Sequence, residues 1–150
     1  MVREATPDDL DAVLGLEDRS FETDRMSRSS LRRLLRSPTA IFLVEETGGR
    51  VVGYVLLLVR ASSDRARLYS VAVDEGSRGR GIGRRLVEAA EGRIRDLGIA
   101  EIRLEIREDN EASHALFASA GYAPFRTVAS YYEDGAAAVR YRKRLESGRG

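Results

Sequence analysis

Apolar and polar positions along this chain follow two rhythms, and the switches between them mark its elements. Val2–Ala5 opens as a short strand. Thr6-Pro7-Asp8-Asp9 then starts a helix, with a threonine cap, proline at the first helical position and acids in the first turn. Leu10, Val13, Leu14, Leu16 and Glu17 carry that helix until Arg19–Asp24 interrupts it. A second helix is expected from about Ser30 to Arg36, with Leu31, Leu34 and Leu35 facing inward and Pro38 as its stop. Ile41–Glu46 and Val51–Val59 are β-rich runs joined by Thr47-Gly48-Gly49-Arg50, a hairpin signal. Ala66–Val73 is a third such run, expected to lie antiparallel to its neighbour.

A glycine-rich turn, Arg78-Gly79-Arg80-Gly81-Ile82-Gly83-Arg84, leads into a long helical pattern. That helix is expected to bury Ile82, Leu86, Ala90, Ile94 and Leu97, while Arg84, Arg85, Glu88, Glu91, Arg93 and Arg95 form a solvated face. Leu97-Gly98 ends it. Ile102, Leu104 and Ile106 alternate with Arg103, Glu105 and Arg107 in a half-covered strand. Asn110 caps a short helix running to Ala120 and closed by Gly121. Phe125–Val128 and Val139–Leu145 read as a final strand pair around Tyr131-Tyr132-Glu133-Asp134-Gly135. Residues 1–145 are expected to form one domain and 146–150 a disordered tail.

Composition narrows the chemistry. At 150 residues and 43% hydrophobic content the chain has the makings of one ordinary soluble domain. Its net charge of +1 argues against broad binding to nucleic acid or acidic lipid. It has no cysteine, which removes thiol nucleophiles and thiolate metal sites, and no metal is expected. His114 is its one histidine and sits beside no acid that would orient it, so it reads as a surface or packing residue. No signal core and no long apolar run are present, giving a cytoplasmic enzyme with no membrane partner as the expectation. The basic helix region Arg25, Arg28, Arg32, Arg33 and Arg36 reads as a solvated face.

The glycine turn carries the candidate chemistry. A strand that breaks into glycines and opens a helix presents several backbone N–H groups at one point, reinforced by the helix dipole. Such a point binds phosphate or pyrophosphate. A Walker A loop needs lysine beside serine or threonine after the last glycine; here Arg84 and Arg85 follow. A dinucleotide fingerprint needs a different glycine spacing and a doubly wound sheet. Gly79, Gly81 and Gly83 instead alternate, after an antiparallel hairpin.

The turn does match Gln/Arg-x-x-Gly-x-Gly/Ala, the signature of the Gcn5-related N-acetyltransferase family, through Arg78, Gly81 and Gly83. The order of elements over essentially the whole chain is similar too. Within that family the chain most resembles the branch that acetylates protein N-termini, through Leu104-Glu105-Ile106-Arg107, Asn110, Leu116-Phe117, Gly121-Tyr122 and the pair Tyr131-Tyr132.

The resemblance implies an α/β fold: a mixed, largely antiparallel sheet of about seven strands, helices on both faces, splayed beside the signature strand. It implies acetyl-CoA as co-substrate, with pantetheine against the backbone of Val71, Ala72 and Val73 and an oxyanion donor near Val73. Gly79, Arg80, Gly81, Ile82, Gly83 and Arg84 would hold the pyrophosphate. Asn110 would touch the cofactor, serve as a helix cap, or do both. Glu105 matches the general base; the plain alternative is an outward strand acid paired with Arg103 or Arg107. An α-amine titrates at ~7.7–8.0 against ~10.4 for lysine, so a carboxylate acting through water serves it more readily.

Two positions depart from the branch. Phe117 stands where the branch commonly has a tyrosine placed to protonate the departing thiolate, and Ala136-Ala137-Ala138 replaces an acidic pair. A thiol with pKa ~8.5 leaves tolerably without an acid, so reduced dependence on one is expected. Water, Tyr131 or Tyr132 could substitute for it. Tyr131 and Tyr132 themselves read either as acceptor contacts or as edge packing. The expected reaction is direct acetyl transfer in a ternary complex to a primary amine, first a protein or peptide N-terminus. A small-molecule amine and a non-catalytic acyl-CoA sensor stand as alternatives, and the state as monomer or homodimer.

Overall fold

In the computed structural model, which describes residues 1–21, 25–60 and 63–145, seven strands form one sheet. They are β1 (Val2–Glu4), β2 (Ala40–Thr47), β3 (Arg50–Val59), β4 (Arg65–Val73), β5 (Glu101–Arg107), β6 (Ala123–Val128) and β7 (Ala138–Arg144). Their spatial order is β1-β2-β3-β4-β5-β7-β6, and only the β4–β5 pair is parallel. Four α-helices flank the sheet: α1 (Leu10–Ser20), α2 (Arg28–Leu35), α3 (Ile82–Asp96) and α4 (Glu111–Ser119). The hairpin signal holds, since Thr47 and Arg50 pair across Gly48-Gly49. The α/β sheet with helices on both faces is therefore as expected; the tail over 146–150 lies outside the described residues.

Each face has its own core. Leu10, Val13 and Leu16 of α1 and Leu31 of α2 pack with Phe42, Val44, Tyr54 and Leu56 on one face. Ile82, Leu86, Val87, Ala90 and Ile94 of α3, with Phe117 of α4, cover Leu43, Val55, Leu57, Ile102, Leu104 and Ile106 on the other. Strand alternation divides β5 as its pattern predicts: Ile102, Leu104 and Ile106 face α3, and Arg103, Glu105 and Arg107 face away.

Several boundaries and burials differ from expectation. Helix α2 begins at Arg28 rather than Ser30, because Ser27 is the cap and its Oγ accepts the Ser30 N–H at 3.1 Å. Helix α1 runs through Ser20, past Arg19, where the pattern had placed the break; 22–24 lie outside the described residues. Leu97 is 58% exposed instead of buried. It occupies the cap position, where Gly98 N–H reaches Arg95 O at 2.9 Å and Ile99 N–H reaches Ile94 O at 3.2 Å. Those two bonds are a Schellman reversal, and Ile99 takes the apolar contact in place of Leu97.

Glu91, read as solvated, is 3% exposed. It lies one turn after Val87, on the buried stripe, and is matched there by Lys143 Nζ at 3.1 Å from both oxygens and by the Tyr122 hydroxyl at 2.8 Å. Burial and the nearby Glu91 charge push the Tyr122 phenol well above its ordinary range.

Candidate active site

The glycine turn joins β4 to α3 by way of a short 3-10 turn at Glu75–Ser77. Gly79 and Gly81 have φ of 83° and 74°, a region an L side chain enters only with strain. The first helical bond in α3 runs from Arg85 N–H to Gly81 O at 3.0 Å. The N–H groups of Ile82, Gly83 and Arg84 therefore have no intrahelical acceptor and point out of the helix start. At Gly83 the restriction is packing, since a Cβ there would lie 3.3 Å from Leu116 on α4. This local geometry suits a phosphate-bearing group, as the spacing predicts.

Strand β4 leads into that turn with one open edge. Its parallel pairing with β5 covers only Arg65, Ala66 and Arg67 against Glu101, Ile102 and Arg103. A bulge on β4 follows at Tyr69, between the pairs Leu57–Leu68 and Leu56–Ser70, and past it the two strands diverge. Gly53 pairs towards β2 through Glu45, so Tyr54 next to it turns its backbone towards β4 and bonds Ala72. By the same alternation, Val71 and Val73 direct their N–H and C=O groups into the splay. Of the three backbone positions expected to meet pantetheine, Val71 and Val73 thus face the opening, and Ala72 is committed to β3.

Glu105 lies across the splay on β5, with its side chain 12% exposed. It pairs with neither Arg103 nor Arg107. Arg67 of β4 reaches its Oε1, with Nη2 at 2.9 Å, and Arg140 Nε of β7 lies 3.2 Å from its Oε2. Arg67 Nη2 also donates to the Tyr131 hydroxyl at 2.9 Å. Burial works against the Arg67 charge, yet Glu105 and Tyr131 outweigh it, and the guanidinium is held more firmly protonated than usual. Arg103 instead pairs with Glu101, and Arg107 with Asp109 and Asp134. Arg67 and Arg140 are site residues that motif reading missed. The available signal was period-two alternation, which puts Arg67 and Arg140 on the same sheet face as Glu105.

The tyrosine pair sits in a hydrogen-bonded turn. Tyr131 N–H and Tyr132 N–H both donate to Ala136 O, at 3.0 and 3.1 Å, and the two rings meet edge to face at 5.0 Å. Arg107 tethers this turn to β5 by its ion pair with Asp134 and by lying 5.6 Å over the Tyr132 ring. The Arg107 hydrogen bond holds the Asp134 carboxyl below the usual range. Tyr131 thus faces the Glu105 cluster, while Tyr132 packs against Arg107.

Asn110 Oδ1 accepts the Ser113 N–H at 3.1 Å, a helix cap as read from the sequence. Phe117 is 2% exposed and packs edge to face on Tyr122 at 5.2 Å. His114 Nε2 lies 3.1 Å from Arg107 O and 3.2 Å from Glu108 O, so that nitrogen carries the hydrogen and Nδ1 accepts from Tyr141 Oη at 2.6 Å. Both nitrogens are engaged in packing, in line with the sequence reading. Beneath the β4 edge, Glu17 of α1 is buried and accepts the Met26 N–H at 2.7 Å and the Tyr54 O–H. The Tyr54 oxygen lies 2.8 Å from Ser70 Oγ on β4. Burial, with Glu17 alongside, raises the Tyr54 phenol well above its ordinary range.

Known proteins resemble this chain in sequence and in fold. The model of the acetyltransferase (GNAT) family matches residues 8–122. The N-terminal acetyltransferase A complex catalytic subunit NAA10 of Arabidopsis thaliana is 30% identical over 97% of this chain and 78% of its own length. The N-alpha-acetyltransferase RimI of Mycobacterium tuberculosis is 33% identical over 80% of this chain and 75% of its own. The crystal structure of Ard1 from Thermoplasma volcanium superposes with a TM-score of 0.89 at 26% identity, covering 97% of both chains.

Proposed function

The chain belongs to the acetyltransferase (GNAT) family, whose members use acetyl-CoA, and from that premise we propose that it acetylates protein or peptide N-terminal α-amines in the cytoplasm. The observation that carries the reading is the splay itself: an open β4 edge leading to the glycine turn on one side, with Glu105 and Tyr131 across it. The names of the relatives, which refer to N-terminal acetylation, support the acceptor class. The donor supplies an activated acetyl thioester.

The residues divide the remaining work. The N–H groups at the start of α3, beside Gly79, Arg80 and Gly81, would bind the pyrophosphate, with Arg78 and Arg84 adding charge. Val71 and Val73 would bind the pantetheine arm, with Val73 N–H holding the acetyl oxygen. Asn110, besides its cap, would contact the cofactor. Glu105 would take the amine's proton through water: Arg67 and Arg140 each occupy one of its oxygens and fix them in place, and each oxygen keeps a further lone pair. The amine then attacks directly in a ternary complex. Phe117 has no proton to give, so the thiolate leaves with help from water or Tyr131.

Turnover of an N-terminal peptide library, followed by release of free thiol, tests this. Glu105→Gln is expected to lower kcat by about 10²–10⁴ while acetyl-CoA affinity by calorimetry stays within about threefold. Activity confined to polyamines, amino acids or other small amines would overturn the acceptor, and binding without any turnover would leave an acyl-CoA sensor.

A further inference from the structure

The half of the sheet that carries Glu105 bears an unbalanced set of arginines on the same face. Helices α1 and α2 pack on β2, β3 and β4, and among the described residues none of β5, β7 or β6 joins the core they form on this face. In the strand register, Arg140 stands directly opposite Glu105 on one side and opposite Arg126 on the other. One row along, Arg103 stands opposite Arg142. Like charges placed directly across neighbouring strands are destabilising.

The acids nearby do not cancel them. Glu105 is shared by Arg67 and Arg140, and Glu101 takes Arg103. Arg126 and Arg142 are exposed and have no ion pair among the described residues. Arg142 and Arg103 instead lie 4.7 and 5.1 Å over the Phe125 ring, which holds their guanidinium planes in place. In a chain whose net charge is only +1, this local excess of positive charge is a feature of position rather than of composition.

We propose that the acceptor is a polypeptide whose N-terminal residue is followed by acidic side chains, which lie along this face towards Arg126 and Arg142. The inference rests on the N-terminal reading above and adds the class of sequence it selects. With the amine beside Glu105, a path over β5, β7 and β6 carries the next few residues past Arg140 to Arg126. An extended peptide advances roughly 3.3 Å per residue, against about 4.8 Å between strands. Two or three acidic side chains therefore span the distance from Arg140 to Arg126. Carboxylates meeting fixed guanidinium forks form paired, charge-assisted hydrogen bonds, and an approaching acidic segment is steered by the same field.

The test compares three peptides with the same N-terminal residue, followed by Asp-Glu-Asp, by Asn-Gln-Asn or by Lys-Lys-Lys. The expected result is a kcat/KM for the acidic peptide about tenfold or more above that of the amide peptide, with the lysine peptide poorest. That ratio should shrink as salt rises from about 0.02 to 0.2 M. In the double variant Arg126→Gln/Arg142→Gln it should fall to about threefold or less, with circular dichroism and melting temperature checking that the fold is kept. Equal use of the three peptides by the wild type, or a ratio the variant does not change, overturns the inference while leaving N-terminal acetylation intact. Acetylation of no peptide at all overturns both. Binding of a poly(U) oligonucleotide that Arg126→Gln/Arg142→Gln abolishes, with no peptide preference, would assign the face to nucleic acid instead and also overturn it.

Discussion

The Glu105 carboxylate shows what a single residue owes to neighbours far away in sequence. Its motif position was readable, but its partners were not: Arg67 and Arg140 stand 38 and 35 residues away, and only the sheet order brings them to it. The same is true of Glu17, whose place on the apolar stripe of α1 was legible while its need for a donor was not. Tyr54 supplies that donor from β3, and the Met26 N–H supplies another. Tyr54→Phe leaves the buried carboxylate with one hydrogen bond fewer and, among the described residues, no ion pair. A loss of about 1–3 kcal/mol is expected, read as a lower urea midpoint with an unchanged slope.

Elements were the most legible scale, and their errors have local causes. Strands announced themselves by alternation, and the Gly48-Gly49 hairpin and the Asn110 cap were met. The misreadings of α3 came from following a single file of positions, spaced four, four, four and three. The buried stripe instead takes in Val87 and Glu91, while Leu97 is turned out by the Gly98 reversal. A buried glutamate cannot be told from a solvated one by periodicity when its cation is on another element. The glycine turn was legible because it is encoded in backbone conformation. Gly81→Ala meets open space apart from the end of Arg85 at 3.7 Å, yet it places an L residue at φ 74°. It is expected to cost about 1–2 kcal/mol of stability and to weaken acetyl-CoA binding, measured by thermal melting and calorimetry on the same preparation.

At the scale of the molecule, charge pairs connect the layers. Lys143 on β7 and Glu91 on α3 join sheet to helix inside the fold. Lys143→Met alone should cost about 3–5 kcal/mol, because it leaves Glu91 buried; adding Glu91→Leu should recover most of that loss in the double variant. Arg3 and Asp9 tie the first strand to the start of α1 at 2.9 Å. The Arg3 hydrogen bond holds the Asp9 carboxyl below its ordinary range. A depressed carboxyl stabilises the fold above its unfolded pKa of about 3.9, and that contribution is lost as pH falls through the lower folded value. Melting temperature is therefore expected to drop on acidification below about pH 4, and less steeply in Arg3→Met.

The divergence of β4 from β5 also makes the sheet a gauge of its own ligand. Under the proposed reading, Val71 and Val73 offer amides to a molecule lying in the opening, so docking the donor would add backbone bonds to the sheet as a further strand would. Donor binding and folding then share one free energy. Saturation at about a hundred times Kd is worth about 2.7 kcal/mol of unfolding free energy, and hydrogen exchange at those two amides should slow by more than it does elsewhere on the strand. An amine acceptor offered alone would leave both readings where they were.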